Sequence, residues 1–428
     1  MMPRMMLDGN GASTEAIRLA RVGVISAYPI TPQSPIAEKL SQYVADGRLE
    51  AKYLRVESEH TALSCAIGSM LTGVRAATAT SSVGLALMHE ILGVASGLRI
   101  PVVMPLINRA LVAPWSLWCD HQDSMAERDS GWIQLYAENV QEVLDLLLIA
   151  YKAAEHEQVL LPAMVCFDGF FLSHSIQPVE VPDQDAVDHF LPKYECKNLY
   201  LDPDDPMFVN DLTSPDEFSE MRYQQMIAFK NALEIIPGVQ DEFFQLSGRR
   251  YQMIETYKCE DADVVLVTIG SMAGTAKHVV NQLRTRGEKI GIVKITCFRP
   301  FPVEIMRGVL KGKKVIGIID RSAGLGAEGG PVWLEVKSVA GKEAKIFDYI
   351  AGLGGRDIPE TTIEKICIEL LQSVNKEVSA PKKPWIDTAE NAMDIREARV
   401  KAHGAERRAQ SARYRSNITG KQEKQERG

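Results

Sequence analysis

The sequence predicts two α/β domains joined by an extended connection: a doubly wound parallel sheet with helices on both faces, then a smaller α/β domain. Three observations predict this. From about residue 10 to 175, short apolar runs alternate with segments of helical period, the pattern of parallel βαβ units. The alternation stops over 176–255, where "PVEVPDQD" and "LDPDDP" intervene, and resumes at "DADVVLVTIGS". At 428 residues the chain also exceeds what one ordinary core holds.

Apolar, strand-length runs place the first strands at 22–28, 51–57, 75–81, 100–108, 132–137 and 160–168. Segments of helical period between them predict helices at 34–46, 59–72, 84–97 and 139–156, the first capped by Ser34 with Pro35 at the first helical position. A further helix is expected over 215–250. The second block predicts strands at 261–271, 289–298, 313–320 and 344–352, with helices at 272–286, after Pro302 and at 360–374. The domains expected are therefore 8–255 and 256–378, followed by a charged tail at 379–428. Its basic excess and few apolar residues read as disorder or a solvated helix, or else as an arm wrapped around a partner subunit.

Composition narrows the function. A net charge of −8 gives no reason to expect nucleic acid as a partner, and no apolar run approaches the length of a membrane span. The N-terminal "MMPRMMLDGNGAST" has no apolar core before a cleavage site, so no secretory signal is expected. Seven cysteines, an odd number with no CxxC spacing, argue against a disulfide framework and against a zinc or iron–sulfur site built by this chain alone. A reducing cytoplasm is the expected location.

In parallel sheets, ligands sit outside the carboxyl ends of the strands. The loops expected there are unusual: "AYPITPQSP" (27–35), "ESEHTA" (57–62), "TSSVGLA" (80–86) and the long "NRALVAPWSLWCDHQDSM" (108–125). The prolines of the first make a rigid turn, and they would also hold Tyr28 and Thr31 fixed at the sheet edge. Glu57 and Glu59 open an apolar helix. The helix dipole favours acid there, but does not explain a carboxylate facing a core unless it meets a partner. One chemistry that needs such an acid is the aminopyrimidine ring of thiamine diphosphate. Arg109, just after a strong strand, suits a substrate carboxylate. Asp120, His121 and Asp123 are too close in sequence to favour a metal site, so no metal is expected; Trp115 and Trp118 read better as aromatic walls of a pocket. The Gly/Ser loops "TSSVGLA" and "DRSAGLGAEGG" are weak as phosphate sites, and "LGAEGG" reads as a tight chain crossing.

Taken together, "YPITPQSPI", "VESEHTA", "TSSVGLALMHE", "NRALVAPWSLWCDHQDSM", "RDSGWIQLYAE" and "CFDGFFLSH" resemble the α subunit of 2-oxoacid:ferredoxin oxidoreductases of the pyruvate:ferredoxin oxidoreductase type. "VTIGSMAGTAKHVV", "FRPFP", "DRSAGLGAEGGP" and "AGLGGRD" carry the resemblance through the second block, over roughly residues 8 to 370. It implies a thiamine-diphosphate-binding fold for the first domain and a transketolase C-terminal-like fold, with an assembly role, for the second. It implies CoA-dependent oxidative decarboxylation of a 2-oxoacid to acyl-CoA and CO2, with thiamine diphosphate as cofactor and electrons passed to iron–sulfur clusters in other subunits.

By the same resemblance Glu59 activates the aminopyrimidine, while Thr31 and Arg109 hold the substrate's carbonyl and carboxylate. Tyr28, Pro29, Ser82 and Val83 flank the cofactor, and Ser116, Trp118 and Cys119 complete the substrate pocket. The implied partners are a β subunit holding the diphosphate and Mg2+, a ferredoxin-like iron–sulfur subunit and a γ-type subunit. The absence of a GDG-type motif and of cluster cysteines fits that division. Thr31 argues against oxalate, whose enzyme carries a basic residue there. Val83, Ser116 and Cys119 depart from the family's usual residues and trade amide groups for apolar or smaller ones, which leaves a bulkier acid such as phenylglyoxylate open beside pyruvate. A non-catalytic assembly subunit and a cluster-free transketolase- or dehydrogenase-like enzyme are the other readings. The presence together of Thr31, Glu59 and Arg109 favours the enzyme over the assembly subunit.

Overall fold

Strand β1 (Arg4–Leu7) and helix α1 (Gly9–Leu19) open the chain, with Asp8 capping α1 by accepting from Gly11 N at 2.7 Å. The parallel units then follow in order: β2 (Val24–Ala27), α2 (Ser34–Ala45), β3 (Lys52–Arg55), α3 (Glu59–Leu71), β4 (Ala76–Ala77), α4 (Ser82–Leu87), α5 (His89–Gly97) and β5 (Val103–Asn108). After them come α6 (Gln122–Ala126), β6 (Ile133–Tyr136), α7 (Val140–Ala154) and β7 (Ala163–Asp168). Strand β8 (Gln177–Glu180) pairs antiparallel with β1, and α8 (Gln184–Phe190) and α9 (Pro215–Ser247) complete this part. The remainder runs β9 (Ile254–Tyr257), β10 (Val264–Ile269), α10 (Met272–Thr285), β11 (Ile290–Ile295), β12 (Cys297–Arg299), α11 (Val303–Leu310), β13 (Val315–Asp320), α12 (Pro331–Val339), β14 (Lys345–Ile350) and α13 (Glu360–Ser373). This computed structural model describes residues 2–196 and 198–375, with 381, 384–386 and 388; the expected tail therefore lies almost wholly outside the described residues.

The large sheet has the order β12–β6–β7–β5–β4–β2–β3 and the small one β14–β13–β10–β11–β9. Strands β5 and β7 are buried along all six residues, which is why they read as unbroken apolar runs. Helix α7 is buried nearly all round and packs on α1, α9 and β7. From β2 the chain moves outward to β3, then crosses back to β4 on the other side of β2. The winding reverses at the β2–β4 pair, where such sheets open a crevice at their carboxyl ends.

Several expectations are corrected. The run 289–298 is two strands in two sheets. Thr296 N and Cys297 N both bond Met253 O at 3.0 Å, and β12 then joins the edge of the large sheet antiparallel to β6. The strand expected at 75–81 shrinks to two residues plus an isolated bridge from Thr80 to Leu106. The helix at 84–97 divides at Met88 into α4 and α5. Ser34 is the first residue of α2 rather than its cap; Gln33 holds that position without a side-chain bond.

Two buried ionic clusters lie between the sheets. Lys294 of β11 meets Glu142 of α7 at 2.6 Å, and Glu138 and Glu255 each at 3.1 Å. Asp168, at the end of β7, accepts from His121 Nε2 at 2.7 Å, from Arg321 Nη1 at 2.6 Å and from the Ser271 hydroxyl. The crossing expected at "LGAEGG" is as tight as its glycines suggest: a Cβ on Gly330 would stand 2.2 Å from the Asp320 carboxylate, which bonds Val332 N and Trp333 N of α12.

Candidate active site

Helix α3 starts at the expected acid, and the two glutamates separate. Ser58, in extended backbone, is the cap, its hydroxyl accepting from Thr61 N at 3.1 Å. Glu57 accepts from the Thr61 hydroxyl at 3.0 Å and stays at the surface. Glu59 turns inward and is 7% exposed, backed by Ala62, Leu63, Ala66 and Ile67. Its carboxyl lies over Gly84 of α4: a Cβ there would stand 2.8 Å from Glu59 Oε1 and 2.5 Å from Thr80 Oγ1, so a side chain at this position would displace one of them. Among the described residues the Glu59 carboxyl has no hydrogen-bond or ion-pair partner. A buried carboxyl left so is costly unless a donor from outside the chain reaches it. An acid so placed can accept from a donor nitrogen that reaches it from outside the chain.

Arg109 is the second unanswered charge. It is 4% exposed and reaches backbone carbonyls only, Nη1 to Thr31 O at 2.9 Å and Nε to Ser116 O at 3.2 Å. It makes no ion pair among the described residues, and burial lowers its pKa, with Asp123 opposing. A guanidinium positioned by carbonyls and lacking a counter-ion is ready for a carboxylate.

Asp123 fixes this arrangement. Wholly inside the protein, its Oδ2 accepts from both Ser82 N and Arg109 N at 3.0 Å, and its Oδ1 from Asn108 Nδ2 at 2.8 Å. One carboxylate thus stitches the loop after β4 to the loop after β5. Burial pushes its pKa up to about 6, against the pull of those three donors. Ser82 has φ +49°, a left-handed conformation uncommon for a serine, and its hydroxyl is committed to Ala110 O at 2.6 Å. Thr31 is exposed beside Arg109, Tyr28 is half-buried and Pro29 exposed on the same turn, and Val83 is 38% exposed next to Gly84.

The long loop is pinned from the small sheet's side. Gly355 N bonds Cys119 O at 2.6 Å, Gly354 N bonds Asp120 Oδ2 at 3.1 Å and His121 N bonds Arg321 O at 2.8 Å. Ser116 holds Arg109 through its carbonyl, and Trp118, 54% exposed, accepts from Ala110 N at 3.0 Å. Cys119, expected in the substrate pocket, is 0% exposed; the same pins draw it inside, near Asp168 and Arg321, and burial drives its thiol pKa well up. Asp120, His121 and Asp123 have separate partners: Asp120 accepts from Gln122 N and Gly354 N, His121 pairs with Asp168, and Asp123 stitches loops. Cys119, His121 and Asp168 do cluster, but Arg321 already occupies Asp168 with a charge of the wrong sign for a cation site.

A doubly wound sheet with its crevice at the strand reversal and a second α/β sheet against it is the fold of thiamine-diphosphate-dependent enzymes. Residues 15–241 match the family described as pyruvate flavodoxin/ferredoxin oxidoreductase, thiamine diphosphate-binding, and residues 262–363 match pyruvate:ferredoxin oxidoreductase core domain II. The chain belongs to the pyruvate:ferredoxin oxidoreductase family and is a subunit of a 2-oxoacid oxidoreductase. It is 48% identical to pyruvate synthase subunit PorA of Methanocaldococcus jannaschii over 84% of this chain and 93% of that one. It is 42% identical to ketoisovalerate oxidoreductase subunit VorA of Pyrococcus horikoshii over 87% and 94%. In fold it resembles the 2-oxoglutarate:ferredoxin oxidoreductase of Magnetococcus marinus, solved with 2-oxoglutarate, coenzyme A and succinyl-CoA, with a TM-score of 0.69 and 20% identity over 86% of this chain and 65% of that one.

Proposed function

We propose that this chain supplies the pyrimidine side of the active site of a CoA-dependent 2-oxoacid oxidoreductase, with pyruvate as the substrate. The observation that carries the reading is Arg109, a buried guanidinium held by carbonyls and left without a counter-ion. It takes the substrate carboxylate, and Thr31, whose carbonyl orients it, is the neighbour of the 2-oxo oxygen. Glu59 meets the ring nitrogen of the cofactor's aminopyrimidine and holds or moves a proton there, with Tyr28, Pro29, Ser82 and Val83 around the ring. Thiamine diphosphate, when bound, supplies the carbon nucleophile and electron sink that decarboxylation needs. The apolar helix behind Glu59 keeps water away and the carboxyl aimed.

Pyruvate is favoured over a branched acid because six relatives named as pyruvate synthase subunits stand at 44–48% identity against 42% for the ketoisovalerate one, with a seventh at 41%. Val83, Leu87, Val112, Trp115 and Leu117, from 38 to 77% exposed around the site, are the surface against which a β subunit bearing the diphosphate and Mg2+ closes. Iron–sulfur and γ-type subunits take the electrons, and CoA takes the acyl group. No described helix is long and apolar enough to cross a membrane, and seven free cysteines suit the reducing cytoplasm. The test is Glu59→Gln in the complex purified with its natural partners. Pyruvate-dependent dye reduction falls by about 10²–10⁴-fold with assembly intact. Near-normal turnover, or a complex without an iron–sulfur chain, overturns the reading.

A further inference from the structure

Phe170 has a backbone that its residue type seldom adopts. It follows β7 by two residues and sits at φ +63°, the left-handed region that bulky residues rarely enter. Such strain persists where surroundings enforce it, and it concentrates at functional sites. Here Ser173 Oγ accepts from Phe170 N at 2.8 Å. The ring stands between Trp118, at 4.6 Å between centroids and 52° between planes, and His174, at 5.0 Å and 30°.

The neighbouring contacts fix where this ring is. Gly169 packs so closely that an added Cβ would stand 2.5 Å from Asn108 O and 3.1 Å from Pro32 Cγ. Phe170 is therefore one residue from the point where the Thr31–Pro32 turn and the Asn108–Arg109 loop meet. Ser116 ties Trp118 to the same place: its carbonyl accepts from Arg109 Nε, and its hydroxyl from Trp118 N, both at 3.2 Å. The ring pair is not sealed in the core, since Trp118 is 54% exposed and Phe170 half-buried.

We infer that the Trp118–Phe170 pair is the wall against which the side chain of the 2-oxoacid packs, and that Phe170 sets the upper size of that side chain. The inference rests on the reading of Arg109 as the carboxylate site. With the carboxylate fixed there, the substrate's variable end points to whatever apolar surface adjoins the Thr31–Arg109 contact, and these rings are that surface.

The test is kcat/KM for pyruvate, 2-oxobutyrate, 2-oxoisovalerate and phenylglyoxylate, measured on the assembled complex with wild-type chain, Phe170→Gly, Phe170→Leu and Trp118→Phe. Glycine suits φ +63°, so Phe170→Gly removes the ring without opposing the backbone; Phe170→Leu keeps an apolar side chain if the glycine complex fails to assemble. Apolar walls discriminate by about 10–200-fold, so the bulky-to-pyruvate ratio should rise at least tenfold in Phe170→Gly and less in Phe170→Leu, with the KM for CoA unmoved. Unchanged ratios, or a parallel fall for all four acids, overturn the wall. If Arg109→Met raises the KM for pyruvate while Phe170→Gly leaves the ratios alone, the wall alone fails. If Arg109→Met leaves that KM unmoved, the carboxylate reading fails and the wall with it.

Discussion

The junction between the two sheets and the crevice at the strand reversal each bury charge, and they treat it in opposite ways. At the junction, Lys294 is fully enclosed with three carboxylates within 3.1 Å. Burial alone would lower its pKa, but Glu142, Glu255 and Glu138 more than reverse that and hold it above the usual lysine range. In the crevice, Arg109 and Glu59 are both buried and neither has an ionic partner among the described residues. Charge neutralised within the chain fixes how elements dock; charge left unanswered is, on the reading proposed above, open to a ligand. The contrast gives opposite expectations for removing each cation.

Arg109→Met should produce the larger effect on activity and the smaller on the fold. Removing one partner of a buried ionic contact costs about 2–5 kcal/mol, roughly 30- to several-thousand-fold in kcat/KM for the 2-oxoacid. Because no carboxylate is stranded, the melting temperature should hold or rise. A clear fall in melting temperature would mean that Arg109 is structural and would erase the contrast. Lys294→Met should do the reverse. Lys277 still pairs with Glu138 at 2.6 Å and lies 3.9 Å from Glu255, but the buried Glu142 is left without a cation, a loss of about 3–5 kcal/mol in stability. Turnover per assembled complex should stay near wild type. Denaturant midpoints read against active-site titration separate the two, and equal losses of stability in both variants would break the distinction.

How much of this was legible follows from where the information sits. Glu59 could be read because an acid heading an apolar helix is a local anomaly, and Arg109 because it follows an unbroken apolar strand. The alternation of strands and helices was legible for the same local reason. Asp123 was not: its role comes from two backbone N–H groups, of Ser82 and Arg109, that only the fold brings to one oxygen. Phe170 was missed because the sign of φ is not written in residue type. The apolar run 289–298 gave no sign of its break, which is set by bonds to Met253 far behind it. The family resemblance placed Cys119 in the substrate pocket, yet bonds from Gly354 N and Gly355 N hold that stretch and Cys119 is buried.

Asp123 gives the smallest effect and sharpens the comparison most, because it belongs to the crevice yet is answered, by N–H donors instead of a cation. Its folded pKa is raised from the model-peptide value of 3.8 to about 6. The folded state therefore holds a proton between about pH 4 and 6 that the unfolded chain has released. This group's contribution to stability is full below about pH 4 and is lost as pH rises through 6. Function runs the other way. Protonation weakens the oxygen shared by Ser82 N and Arg109 N, so the KM for the 2-oxoacid should rise as pH falls through about 6. The rise should be about 2- to 10-fold, the worth of one hydrogen bond. Asp123→Asn cannot ionise, so its KM should be raised at every pH and flat from 5 to 8. Glu142 is also raised to about 6, but it titrates at the Lys294 junction, so it can move stability without moving KM. A wild-type KM that stays flat across that range would remove Asp123 from the positioning of Arg109, and leave the carbonyls of Thr31 and Ser116 to hold the guanidinium alone.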